Sequence, residues 1–144
     1  MKSFSFPLER VREWRSEQLD VEEGTLRALV AGRMALISRR QELLEDRRSL
    51  DLALTRAREV TAEALAALEA YRRWIKAETQ RLATAILEAE SRVAAQRQRV
   101  IEAQRNCRLL GKLRERALRQ WWKDAGRETE NLAAEIYLAK WEPG

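Results

Sequence analysis

Histidine is absent from the 144 residues, and cysteine occurs once, at Cys107. The first absence removes the commonest general base and metal ligand. The second rules out an internal disulfide framework, fits a reducing cytoplasm, and with no CxxC pair leaves no zinc site to assemble. Glycine and proline are scarce, with 5 and 2 copies, and neither occurs between Arg33 and Leu110. Turns usually recruit those residues, so their absence argues for very long helices and few reversals. No run approaches the roughly 18 apolar residues of a membrane span, and the start, MKSFSFPLERV, has no apolar signal-peptide region. The expectation is a chain that is neither exported nor inserted.

What is present is charge and helix formers. Charged residues make up 35% of the chain, and Arg, Ala, Leu and Glu dominate. The reading is an all-α fold: an antiparallel two-helix coiled-coil hairpin, one domain over residues 1–144, with a longer second helix projecting beyond the first. Helix one is expected at about 7–54, with Pro7 in its first turn and Glu9 at the positive end of its dipole. The reversal is placed at about 55–61, in TRAREVT, where Thr61 can cap a second helix at about 62–140. At 1.5 Å per residue that helix would be roughly 115 Å long.

Seven-residue spacings set the seam. In helix one Leu29, Leu36, Leu43 and Leu50 recur beside Val30, Ile37 and Leu44, with Arg33, Arg40 and Arg47 flanking them, stems on the seam and heads in water. In helix two one series runs Leu68, Ile75, Leu82, Ala89, Gln96, Ala103, Leu110, Ala117. The other runs Leu65, Arg72, Thr79, Ile86, Val93, Val100, Cys107, Arg114, Trp121. Gly24 and Gly32 inside helix one each cost about 1 kcal/mol against alanine, which points to local bending or close helix contact. Helix one is expected to cover helix two only to about Gly111.

Chemistry is hard to build here. No Ser/His/Asp or Cys/His set exists, no glycine-rich phosphate loop exists, and the carboxylates on helix faces (Glu22, Glu23, Glu88, Glu90) read as solvated partners of arginine. No enzymatic activity, cofactor or metal is expected. Cys107 falls in the seam as a small apolar residue. The net charge of +5 is uneven: residues 97–123 carry nine basic side chains against Glu102 and Glu115. Within that stretch lies RERALRQWWKDA. Trp121 is in the seam register and Trp122 is not, so Trp122 is the candidate for a partner contact. Trp14 and Trp141, at opposite chain ends, are expected to approach one another in a hairpin. Tyr71, Trp74 and Ile75 form a second aromatic group just past the turn. Nucleic-acid binding is the weaker reading, because the chain turns acidic after Lys123, and a protein partner with an acidic patch suits alternating signs better.

Both ends of the chain resemble the flagellar FliJ family. The start, FSFPLERVREWR, has its aromatic-x-aromatic pair before LERV. The end, KLRERALRQWWKDAGRETENLAAEIYLAKW, leads from K-x-R-E-R through charged helix to an apolar group and an aromatic. The resemblance implies a cytoplasmic component of the flagellar type III export apparatus, peripherally associated with the inner membrane, without catalysis, and a monomeric hairpin when free. Its terminal helices would engage the hexameric export ATPase through Leu8, Val11, Trp14, Trp121, Trp122, Leu132, Ile136 and Tyr137. A patch near the turn, Leu43, Leu50, Tyr71 and Trp74, would engage the membrane export gate. Family members are also described as escorting export chaperones. Glu78 and Arg81 depart from the small or apolar residues the family places there. The alternatives are the equivalent stalk of a virulence-type secretion system, or a basic dimeric coiled coil binding nucleic acid.

Overall fold

The computed structural model describes residues 2–141. Two helices, α1 (Glu9–Arg56, 48 residues) and α2 (Ala62–Trp141, 80 residues), pack against each other as an antiparallel hairpin whose second helix is the longer. The all-α hairpin read from the heptads is therefore the fold.

The helix ends follow local chemistry. Thr61 caps α2, its hydroxyl oxygen accepting from the Ala64 N–H at 3.1 Å. Thr55, placed in the reversal by sequence, belongs to α1. Its hydroxyl donates to the Asp51 carbonyl at 2.8 Å, which satisfies it inside a helix. At the other end, Pro7 precedes the helix. The Glu9 N–H donates to the Phe6 carbonyl at 3.1 Å, closing a turn with Pro7 in the position its fixed φ suits, and the first helical bond runs from Arg12 to Leu8 at 2.9 Å.

Contacts divide the chain into two compact units, one of Glu22–Val100, the other of the residues up to Val21 with those from Ile101 onward. In the first, the antiparallel pairing is fixed by Asp51 with Arg72, Arg33 with Glu90, and Glu22 with Gln96. Leu43, Ile75, Leu82 and Val93 are its fully buried side chains. Each contributes about 1.5–3 kcal/mol relative to exposure. Along α2 the expected series are buried or half-buried at nearly every position, but Leu65, beside the reversal, is exposed.

Arginine enters this seam more deeply than a flanking position would allow. Arg33 and Arg40 are half-buried, and the Nε of each is shielded from solvent without a hydrogen-bond partner; Arg47 alone of the three is exposed. The spacing explains it: 33 and 40 lie four residues after Leu29 and Leu36, which is the alternate seam position of a heptad. At Gly32 an added Cβ would meet nothing within 4 Å, so the close helix contact considered for that glycine is absent.

In the second unit the pairs are Arg15 with Cys107, Glu9 with Arg114, and Lys2 with Trp121. Leu110 and Ala125 are buried. Helix α1 itself reaches α2 as far as Arg114, through Glu9, close to the Gly111 limit read for it from the sequence, and the residues ahead of it extend the cover of α2 to Ala125. The reason is that residues ahead of Glu9 are not helical, and non-helical backbone advances about 3.3 Å per residue where a helix advances 1.5 Å. By Ala125 the buried face has also moved off the strict seven-residue series, because a 3.6-residue helix drifts about 20° per heptad.

Candidate functional site

The tryptophan pair is built by the N-terminal segment. The Trp121 indole N–H donates to the Lys2 carbonyl at 3.2 Å, and its ring meets Phe4 edge-on with centroids 6.2 Å apart. The Arg114 guanidinium lies 5.5 Å from the Phe4 ring centre and 3.6 Å from the Glu9 carboxylate. Glu9 also accepts from Arg12, one turn along, and that hydrogen bond holds its carboxyl below the usual glutamate range, assisted by the charges of Arg12 and Arg114. Trp121 is half-buried and anchored. Trp122 packs edge-on against it, centroids 5.0 Å apart, yet remains 61% exposed. An apolar ring body with an open face is the form that interface anchors take.

Beyond Ala125 every described residue of α2 is exposed. Leu132 and Ile136 continue the face that carries Trp121 and Ala125, at seven and eleven residues past Ala125. Tyr137 and Trp141 lean on each other, 6.1 Å apart, on another side. Leu8, Val11 and Trp14 are exposed as well. Trp14 and Trp141 are not brought together: Trp14 lies beside its neighbour Arg15, 4.9 Å from the guanidinium, while the Arg15 carbonyl accepts from the Cys107 thiol at 3.3 Å. Trp14 lies level with the stretch of α2 near Cys107, far along that helix from Trp141.

Near the reversal, Tyr71 and Trp74 stack with centroids 5.8 Å apart and 23° between planes, and both are exposed. Leu50 is half-buried and lines a hollow with Ala53, Leu54, Val60 and Leu68. Leu43, the fourth residue assigned to this patch, is 1% exposed and belongs to the seam. It has no surface to offer while the hairpin is closed. Glu78 and Arg81 form an ion pair with each other, and the hydrogen bond from Arg81 keeps the Glu78 carboxyl below its usual range.

Sequence reasoning missed the part played by Lys2, Phe4 and Glu9 around Trp121 and Arg114. A usable signal was present: two aromatics ahead of the first helix need an apolar surface, and a half-buried indole N–H needs an acceptor. Among the described residues no group of three or more Cys, Asp or Glu side chains could hold a metal ion, and no helix is long and apolar enough to cross a membrane. In comparisons with protein-family models, curated proteins and solved structures, nothing matches this chain.

Proposed function

We propose that the chain is a non-enzymatic stalk and adaptor of the bacterial flagellar type III export apparatus. In this reading the end of the hairpin that carries both termini of the helix pair docks in the hexameric export ATPase, and the patch near the reversal meets the membrane export gate. Export chaperones would be further passengers. One observation carries the reading. An anchored Trp121 holds an open Trp122, and the same helix then runs on with Leu132, Ile136 and Tyr137 exposed. Exposed apolar groups recurring along an otherwise charged helix suit a protein-binding surface. The resemblance of both sequence ends to the FliJ family says which partner. At the reversal, Leu50, Tyr71 and Trp74 remain candidates for the gate contact, and Leu43, buried in the seam, does not.

The test is capture of the full chain by the purified export ATPase, with duplex DNA as competitor. Trp122→Ala should weaken capture about tenfold or more, as hot-spot tryptophans do, while circular dichroism stays unchanged. Unaltered capture by that variant removes Trp122 from the interface, and absence of capture by the unmodified chain removes the reading.

A further inference from the structure

On the side of α2 that faces away from α1, Arg105, Arg108, Lys112, Arg116, Arg119 and Lys123 follow one another at spacings of three and four residues. At 100° per residue they fall within an arc of about 80° and extend over about 27 Å. All six are exposed, and no ion pair joins any of them to a described carboxylate. The seam residues of the same stretch, Leu110, Arg114 and Trp121, point the opposite way. Of the acidic residues nearby, Glu102 and Glu115 sit beyond the edges of the arc and Asp124 lies farther round the helix. Ile101 and Leu109 stand among the cations and are exposed. A solvated helix face would mix its signs at these spacings. This one does not.

We infer that this stripe is an adsorption surface for an anionic phospholipid bilayer. The argument is complementarity of shape and charge. A straight row of cations on one helix face can bring all six heads to a flat sheet of phosphates at once. A nucleic-acid duplex winds its phosphates away from a straight line, so the same row would meet a strand only where it crosses it. No aromatic side chain stands within the row to stack on bases, and Trp122 lies on its flank. Ile101 and Leu109 suit a headgroup layer, into which short apolar side chains dip. Each lysine or arginine at such a surface strengthens adsorption several-fold. This inference stands apart from the export reading, although a bilayer and an ATPase ring would compete for the same stretch of α2.

The experiment is co-sedimentation of the full chain with phosphatidylcholine vesicles, with and without about one third phosphatidylglycerol. Binding is expected only to the anionic vesicles and should fall as salt rises. Substituting R105Q, R108Q, R116Q and R119Q together should weaken it about a hundredfold, whereas R47Q, R48Q, R58Q and R73Q, an equal loss of exposed charge elsewhere, should leave it within about threefold. No binding to anionic vesicles overturns the inference, as does equal weakening by both sets, or insensitivity of the unmodified chain to salt. Tighter binding to duplex DNA than to vesicles at matched phosphate concentration also overturns it, in favour of a nucleic-acid partner. Should the first set lose helicity, the salt dependence and the lipid-against-DNA comparison on the unmodified chain still decide.

Discussion

The Gln96 side-chain amide donates to the Glu22 carbonyl oxygen at 3.0 Å and to the Glu22 carboxylate as well, in a position only 5% exposed. It is a buried polar clasp between the helices, in a seam made mostly of leucine, isoleucine, valine and alanine. Such groups add little stability over an apolar replacement, but they penalise any shift of one helix along the other, because a slipped register leaves the amide unpaired.

Gln96→Leu should therefore melt within about 1 kcal/mol of the unmodified chain or higher, yet pair less uniquely. With Cys107 replaced by serine, the cysteines of Arg33→Cys and Glu90→Cys report the register by disulfide trapping. Their yield should drop when Gln96 becomes leucine. An unchanged yield would show that packing alone sets the alignment.

Trp121 and Trp122 should separate stability from recognition. Trp121→Ala deletes a half-buried ring, its bond to Lys2 and its contact with Phe4, and should cost about 1–3 kcal/mol in thermal or urea unfolding. Trp122→Ala should cost about 0.5 kcal/mol or less. Equal losses would mean that the pair acts as one packed unit.

Much of this architecture was legible in the residues. Heptads of Ile75, Leu82, Ala89 and Gln96 gave the seam of α2, and the hydroxyl of Thr61 gave its start. What could not be read was any feature set by the alignment of one helix on the other. The clasp of Gln96 on Glu22 and the offset that separates Trp14 from Trp141 both depend on which residues end up opposite. Period and composition do not encode that. The candidate site divides the same way: the seam register of Trp121 and the exposure of Trp122 follow from spacing, whereas the participation of Lys2, Phe4 and Glu9 requires a non-helical segment whose path no periodicity describes.

Glu9 supplies a pH-dependent increment. Its folded-state pKa is lowered, chiefly by the hydrogen bond from Arg12. A depressed carboxylate stabilises the fold above the usual glutamate range and loses that contribution as pH falls through the lowered value. Melting temperature should thus decline from the carboxylate range downward, and Glu9→Gln should flatten a small part of the decline, since the group is exposed and screened. A profile identical to that of the unmodified chain would show that the pairs with Arg12 and Arg114 do nothing for stability.

The seating of Phe4 and Lys2 against Trp121 has a practical reach. A label attached at Lys2 acts on the flank of α2 beside Asp124 and Glu128 rather than in open solvent. A label there would disturb the seat of Trp121, so interaction work is better done with the label elsewhere.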